Sequence, residues 1–298
     1  MQGPDRSVAY AGDRFVPHAH VALTQLQGGI LCAERTVIDM GPVRVARRAF
    51  NLPVRCRGTV APGTYVVGLL ASPKGHVLWN GVPISFEDLA ATRSSIDFCT
   101  SAPSELYTIA AIEGLRWLDI PGEGVQIRTG TGVAKLRNVL RTAFSNNMPE
   151  ETPWAIIDRL IHAFAAIEAK LTTIQPTHCQ TRRVAAVRAC QAYISEHASE
   201  ALTLRELSSI AGLRPRSLIN AFEAVTGLSP MSFLRIERLN RVREGLLARH
   251  RSRVRVIDVA AEWGFWHMGH FAATYRAMFG ESPSETLTGA HHAVRATA

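Results

Sequence analysis

One pattern of residues occurs twice near the C-terminus of the chain, in residues 203–230 and again in residues 256–283. Each copy has a glycine turn, then two large apolar residues four apart, then Gly-x-Ser-Pro. The matching positions are Gly212, Leu218, Phe222, Gly227, Ser229 and Pro230 in the first copy, and Gly264, Phe271, Tyr275, Gly280, Ser282 and Pro283 in the second. Helix, glycine turn and second helix form a helix-turn-helix. The repeat therefore predicts two such units, and it indicates a protein that binds DNA.

Residues at helix starts support this interpretation, and everything from residue 182 onward is predicted to be helical. Capping boxes and early prolines mark the starts: Thr203 with Glu206, Ser282 with Glu285, Pro215 and Pro230. The apolar spacing predicts an additional helix over residues 185–195, before the first unit.

The positive charge is concentrated in the region of the repeat. Of the formal charge of +8, residues 181–298 carry +6, from 16 arginines and 10 acidic residues and without lysine. Arginine has a planar fork of donors that pairs with phosphate or with the edge of guanine. The charge therefore favours a nucleic-acid partner, although a solvated basic face would look the same in sequence.

The second helix of a helix-turn-helix enters the major groove with its N-terminal side chains near the bases. In the first copy Leu218 and Phe222 must face the core, which leaves the residues around them for DNA. The candidates are Arg214, Arg216, Ser217, Ile219 and Asn220. Arginine pairs with guanine, asparagine with adenine, and an apolar side chain touches the thymine methyl group. Arg216 and Asn220 are the strongest candidates for reading bases, and contact with phosphates only is the alternative.

In the second copy an offset of 53 places Gly269 and Ala273 at the positions of Arg216 and Asn220. The remaining candidates there are His267, Met268, His270 and Arg276. This helix is expected to contribute shape fit and phosphate contacts, while the first supplies most of the discrimination. A basic rim that attracts phosphates is predicted at Arg238, Arg241, Arg251 and Arg253.

The N-terminal half has a different pattern of apolar residues. Short apolar stretches broken by Gly and Pro predict a β-sandwich or β-barrel over about residues 20–120, with a hairpin at Asn80 and Gly81. Helices are predicted over about residues 131–171, and one of them carries an apolar stripe at Ile157, Leu160, Ile161, Phe164, Ile167 and Leu171. This stripe could pack on the β domain or pair with a second copy in a homodimer. The predicted fold class is α+β, with an N-terminal domain at residues 1–171, a linker at 172–181 and a DNA-binding domain at 182–298.

The sequence offers little catalytic or metal-binding chemistry. Five scattered cysteines without a C-x-x-C pair predict reduced, buried thiols. His18 and His20 have the spacing of some metal ligands, but the next acidic residue is Glu34, so neither a metal nor another cofactor is expected. No stretch resembles a membrane span or a signal peptide, which predicts a cytoplasmic protein associated with the nucleoid when bound to DNA.

At these residues the chain resembles the DNA-binding domain of AraC/XylS-type transcriptional regulators, over about residues 185–288. The motifs that carry the resemblance are residues 203–207, 211–213, 227–230, 238–243, 260–265 and 279–285. Residues 263–269 look most like the branch of ethanolamine-utilisation regulators. Thr286 and Leu287 depart from the aromatic-basic pair that often closes the domain, and Trp266 and His267 replace small polar residues.

The resemblance implies a seven-helix domain whose two recognition helices, joined by one long helix, enter successive major-groove segments about 34 Å apart. It also implies promoter binding, activation through RNA polymerase, and a cupin-like β-barrel that binds a small-molecule effector or dimerises. Aromatic candidates for an effector pocket are Tyr65, Trp79, Phe86 and Trp117, for most of which core packing is the better explanation. The alternatives are a cupin-type enzyme, a DNA-repair alkyltransferase, which the scattered cysteines disfavour, and an architectural DNA binder without sequence preference.

Overall fold

A computed structural model describes residues 5–8, 19–74, 77–93, 95–101, 103–112, 126–145, 153–168, 178–249 and 254–289. The chain divides into two compact units. The β-rich unit contains Met1–Leu23 and Ala33–Thr177, and the helical unit contains Thr24–Cys32 and His178–Ala298. The helical unit thus includes a short N-terminal segment that the sequence places in the first domain.

The described part of the β-rich unit contains two β-sheets that pack face to face. Its strands are β1 Asp5–Val8, β2 Ala19–Gln25, β3 Ala33–Asp39, β4 Val43–Phe50, β5 Val54–Val60, β6 Thr64–Leu70, β7 Val77–Trp79, β8 Val82–Ile84, β9 Asp88–Thr92, β10 Ser95–Thr100, β11 Ser104–Ile112 and β12 Gln126–Thr129. One sheet has the order β1-β3-β4-β11-β6-β9-β12 and the other β2-β5-β10-β7-β8, and every described pair is antiparallel. The predicted α+β class and β-sandwich are confirmed.

Large side chains fill the space between the two sheets. The rings of Phe50 and Phe98 lie 6.2 Å apart, and Trp79 stacks on Phe98 at 5.8 Å. Gly68 faces Trp79 so closely that a β-carbon there would overlap the indole ring. Trp79 is therefore a core residue, and Tyr65 is buried in the separate core that includes residues of the two helices after the sheets, as the packing interpretation predicted for both. Phe86 lies under the guanidinium of Arg137, and Trp117 lies outside the described residues.

The predicted hairpin forms where Asn80 and Gly81 connect β7 to β8. Both residues have positive φ, 47° and 76°, as a tight two-residue hairpin turn requires. The turn sets the register, in which Trp79 pairs with Val82.

Two helices, α1 Thr131–Ala143 and α2 Pro153–Glu168, complete the β-rich unit. Leu160, Phe164 and Ile167 of α2 are buried in one core with Val45 and Val67 of the seven-stranded sheet. This confirms that the stripe packs on the β domain. Ile161, which the sequence assigned to the stripe, is instead exposed, and Leu171 lies outside the described residues.

The described residues of the helical unit form seven helices, as the resemblance implies. They are α3 His178–His197, α4 Leu204–Ala211, α5 Pro215–Thr226, α6 Pro230–Ala248, α7 Val256–Glu262, α8 Met268–Phe279 and α9 Pro283–Thr288. The long helix α6 contacts α3, α4, α5, α7 and α9, and so joins the two repeated units. Helix α3 begins at His178, so the last residues of the predicted linker are helical; their polar side chains carry no apolar period that could show it.

Both predicted capping boxes are present. The backbone N–H of Glu206 donates to the Thr203 hydroxyl at 3.2 Å, and the backbone N–H of Thr203 donates to the Glu206 carboxylate at 2.7 Å. Ser282 and Glu285 make the same reciprocal pair at 3.2 Å and 2.6 Å. These bonds satisfy N–H groups that have no partner within the helix, and they fix the starts of α4 and α9.

Candidate nucleic-acid interface

The two helix-turn-helix units are built around turns of the same geometry. Gly212, between α4 and α5, has φ 61°, and Gly264, between α7 and α8, has φ 79°. In each turn the residue after the glycine donates its N–H to a carbonyl five residues earlier, Leu213 to Ser208 and Phe265 to Ala260, both at 3.1 Å. Positive φ is costly for residues with a β-carbon, which explains why glycine occupies both turns.

The inner face of α5 anchors the first unit. Leu218 and Phe222 are fully buried, and the ring of Phe222 meets Phe233 of α6 edge-on at 5.8 Å. Arg214 is the residue before the helix and Pro215 is its first residue. Because the inner face is fixed in this way, the opposite face of α5 is held toward solvent.

That outer face carries the predicted base readers. Arg214, Arg216, Ser217 and Asn220 are exposed, and Ile219 is half-buried at its edge. Arg216 and Asn220 lie one helical turn apart, so their side chains share a face. Among the described residues, neither of these two side chains has a hydrogen-bond or ion-pair partner. The structure thus presents two polar groups whose donors and acceptors are available for a ligand.

The inner face of α8 is anchored by a column of aromatic rings. Successive ring pairs Phe265–Phe271, Phe271–Tyr275 and Tyr275–Phe279 lie 5.0, 5.6 and 4.6 Å apart. The Tyr275 hydroxyl hydrogen-bonds to Thr286 of α9 at 2.9 Å, and burial raises the pKa of Tyr275 to about 12. The phenol therefore stays neutral, and the inner face of α8 is buried as that of α5 is.

The outer face of α8 has a different chemistry from that of α5. Gly269, Ala272 and Ala273 are exposed there and leave the helix surface smooth. His267 precedes the helix and is exposed, and Met268 is half-buried against the core of the unit. Arg276 is exposed and lies 3.7 Å from the Glu285 carboxylate. Polar readers are therefore fewer on α8, in the pattern that the sequence predicted.

His270 contacts Arg235, a residue that is not among the candidates predicted from the sequence. Arg235 of α6 lies with Nη2 3.2 Å from His270 Nδ1, and it donates to the Thr274 hydroxyl at 2.9 Å. Arg235 and His270 are 35 positions apart in the chain, so no local motif indicates the pair. The contact fixes the imidazole on the surface of α8 and adds a cation beside it.

Trp266 is a second feature of this face that the candidate set omits. Its side chain is 74% exposed immediately before α8, next to His267. An indole so exposed is unusual, because tryptophan is mostly buried. The signal was available in the sequence, where a large aromatic residue stands in place of a small polar one.

Two arginines of the predicted basic rim already have hydrogen-bond or ion-pair partners within the protein. Arg238 donates to the carbonyls of Ala198 at 2.7 Å and Glu200 at 2.6 Å, and burial lowers the pKa of its guanidinium. Arg241 lies 3.4 Å from Glu237 and 3.3 Å from Glu244. Arg238 thus connects α6 to the segment after α3, whereas the partners of Arg241 lie on α6 itself; the sequence placed both arginines among phosphate contacts. Arg251 and Arg253 lie outside the described residues, as do His18 and the side chain of His20.

None of the helices in the described ranges has the length and apolarity needed to cross a bilayer. In the same part of the chain, no group of three or more His, Cys, Asp or Glu residues is arranged to hold a metal ion.

Comparison with known proteins identifies the same region. A family described as "Helix-turn-helix domain" matches residues 207–289. XylDLEGF operon transcriptional activator 2 of Pseudomonas putida is 40% identical over 97 residues, which are 32% of this chain and 61% of that protein. XylDLEGF operon transcriptional activator 3 of the same organism is 25% identical over 240 residues, covering 72% of this chain and 70% of its own length. The first of these matches thus spans less than two thirds of the relative.

The crystal structure of a probable AraC family transcriptional regulator from Rhodopseudomonas palustris CGA009 is 36% identical, with a TM-score of 0.34. The match covers 36% of this chain and 98% of that one.

Proposed function

The C-terminal part of this chain belongs to the AraC/XylS family of helix-turn-helix regulators, and on that premise we propose that the protein is a sequence-specific regulator of bacterial promoters. Helices α5 and α8 enter two successive major-groove segments of double-stranded DNA. The observation that carries the proposal is the outer face of α5, where Arg216 and Asn220 stand exposed and without partners among the described residues. Side chains of these types pair with guanine and adenine, each good pair contributing about 1–3 kcal/mol of discrimination.

The two helices make unequal contributions in this proposal. Helix α5 supplies most of the base discrimination through Arg216 and Asn220, and Ile219 contacts a thymine methyl group. Helix α8 contributes through shape, since its outer face consists mainly of Gly269, Ala272 and Ala273. His267, His270 and Arg276 surround this smooth face and contact the backbone of the second DNA segment.

Activation is the proposed direction of regulation. Two relatives in Pseudomonas putida are named transcriptional activators. We assign this chain the same direction of regulation, through contact with RNA polymerase. We assign it no catalytic step and no cofactor. Its DNA partner places it in the cytoplasm, on the nucleoid.

The β-rich unit modulates DNA binding in this proposal, by binding a small-molecule effector or by forming a homodimer. Trp154 is 69% exposed and Ile161 38% exposed on the outer side of α2, where a second copy could cover them. Sedimentation of the full-length chain tests the homodimer. If the wild-type chain is a dimer and Trp154→Glu dissociates it, the proposed homodimer is supported. If the wild-type chain is a monomer at tens of micromolar, the homodimer is contradicted.

The direct test of DNA reading is selection of binding sites from random duplexes. Purified full-length protein and Arg216→Ala are compared at physiological salt, with Arg183→Ala as a matched control, since Arg183 is exposed and lies on α3, outside the two repeated units. We expect a bipartite motif whose halves lie about one helical turn apart. Arg216→Ala should change the preferred base at one position in one half, which identifies the half that α5 reads.

The result also separates base reading from phosphate contact. A variant that loses affinity equally for all duplexes would place Arg216 on a phosphate. If no motif is recovered and binding only weakens with salt, the protein is an architectural DNA binder and the proposed function is wrong.

A further inference from the structure

A short segment of the N-terminal half is part of the DNA-binding unit. Residues Thr24–Cys32, here called the strap, comprise the last two residues of β2 and the segment between β2 and β3, yet they belong to the same compact unit as α3 to α9. The strap contacts the C-terminal end of α8 and the middle of α6. Its contacts are hydrogen bonds and close backbone approaches.

The strap caps the C-terminal end of the second recognition helix. The Met278 carbonyl of α8 accepts a hydrogen bond from the Gly29 N–H at 3.0 Å and another from the Gln25 side-chain amide at 2.7 Å. Carbonyl groups in the last turn of a helix have no donor within the helix. The strap supplies two donors to one of these groups and thereby fixes the end of α8.

The same strap residue is bonded to the long helix. The Gln25 backbone N–H donates to Asn240 Oδ1 at 3.1 Å, and Asn240 Nδ2 donates to the Gln25 carbonyl at 3.0 Å. Asn240 is 7% exposed, and its amide also donates to the Ile236 carbonyl at 2.8 Å. A buried amide is costly when its partners are missing. Gln25 therefore satisfies Asn240 of α6 and caps α8 at the same time.

Close packing leaves little freedom between the strap and α8. A β-carbon on Gly28 would lie 2.6 Å from the Ala277 carbonyl oxygen, and one on Gly280 would lie 2.5 Å from Ile30. Real β-carbons do not approach other atoms so closely. Glycine at these two positions lets the strap lie directly against the last turn of α8.

We propose that the strap positions the second recognition helix, with Gln25 as the positioning residue that sets how α8 sits on α6. The proposal rests on the proposed function, because it assigns the strap a role in reading the second DNA segment. The strap is continuous in the chain with β2 and β3. The orientation of α8 is thus set in part by residues far from the repeated units in sequence.

The test compares Gln25→Glu with Gln27→Glu in the full-length protein. Gln25 Nε2 lies 2.7 Å from each of three carbonyl oxygens, those of Gln27, Gly29 and Met278, so a carboxylate at this position would repel all three. Gln27 is exposed in the same strap and undergoes the same chemical change. Footprinting on the selected bipartite site gives the affinity for each half, and the half altered by Arg216→Ala is the one that α5 reads.

We expect Gln25→Glu to weaken protection of the half read by α8 about tenfold, while protection of the half read by α5 changes less than about twofold. Hydrogen exchange of the α8 amides should also accelerate about tenfold in Gln25→Glu, because opening of a helix end governs exchange there. Gln27→Glu should behave as wild type in both measurements.

Three results would overturn the proposal: equal weakening of both halves, unchanged protection together with unchanged exchange, or tighter binding to the second half. Gln25→Met, which removes the donors without adding charge, repeats the test if Gln25→Glu does not fold, and the same three results count against the proposal. Hydrogen exchange needs no DNA. If wild-type protein shows no bipartite footprint, the proposed function fails, and exchange in α8 alone decides whether the strap holds this helix.

Discussion

The two helix-turn-helix units have equivalent interiors and different outer faces. Leu218 and Phe222 of the first unit and Phe271 and Tyr275 of the second are buried at matching positions. At the exposed positions, Arg216 and Asn220 of α5 correspond to Gly269 and Ala273 of α8. The interior thus fixes the position of each helix, and in the proposed function the outer residues determine separately whether that helix discriminates among bases.

The largest effects are expected in the interiors, and they should be similar in the two units. Phe222→Ala and Phe271→Ala each remove a buried ring and should lower the free energy of unfolding by about 3–5 kcal/mol. Urea denaturation of the full-length variants measures the change. Ile210→Ala is the control, since Ile210 is exposed and should cost less than about 1 kcal/mol. A small loss at one ring and a large loss at the other would show that the interiors are not equivalent.

Exchange of the outer residues should transfer base preference from α5 to α8. Nothing lies within 4 Å of a β-carbon placed on Gly269, so Gly269→Arg combined with Ala273→Asn can be accommodated. We expect the second half-site to gain a preference resembling that of the first, by about 1–3 kcal/mol per pair. Site selection from random duplexes detects it.

Gly269→Ala is the control for this exchange. It should leave the base preference unchanged, and it should stabilise the protein by less than about 1 kcal/mol, because Gly269 lies in the first turn of α8 and not in its middle. An exchange variant whose second half-site stays as in wild type would mean that α8 does not approach the bases.

Loss of a helix cap should cost about the same in each unit. Ser229→Ala and Ser282→Ala each remove the side-chain acceptor of an N-cap at matching positions of the repeat, and each should lower the free energy of unfolding by about 1 kcal/mol. Ser229→Thr keeps the hydroxyl and should be close to wild type. Thermal unfolding followed by circular dichroism is sufficient, and a cost confined to one unit would contradict the equivalence.

The smallest expected effect is a pH dependence that comes from the first capping box. The Thr203 backbone N–H, followed by its hydroxyl, lowers the pKa of Glu206. A lowered pKa in the folded state contributes stability above the unfolded pKa of about 4.3, and this contribution is lost as the pH falls through the folded value. Glu206→Gln should flatten the pH dependence of unfolding in this acidic range. Glu223→Gln, at an exposed residue outside any cap, should leave it as it is; identical curves for both variants would exclude the linkage.

Features governed by neighbouring residues could be predicted from the sequence. The capping boxes, the turn at Asn80 and Gly81 and the buried positions of the repeat all depend on residues a few positions apart. Contacts between distant residues could not be predicted. Gln25 meets Asn240 and Met278 across more than 200 positions, and no pattern in residues 24–32 marks them as part of the helical unit.

The candidate interface shows the same division. Which residues of α5 and α8 face outward follows from helical periodicity, and the structure agrees. The partners of Arg238 and Arg235 depend on how α6 meets its neighbours, and the sequence did not indicate them. The partners of Arg241 lie three and four residues away on α6 itself, at spacings that helical periodicity brings together. A sequence shows that a residue is charged, but it indicates the partner only when that partner is a few positions away along the chain.

In the proposed function, α5 discriminates among bases and α8 contributes mainly shape. The most direct test measures binding of the full-length protein to the selected duplex after one half or the other has been randomised, at fixed salt. We predict that randomising the half read by α5 lowers the affinity at least about tenfold more than randomising the half read by α8, as the loss of one or two bidentate base contacts requires. Equal losses, or a larger loss at the second half, would contradict the account.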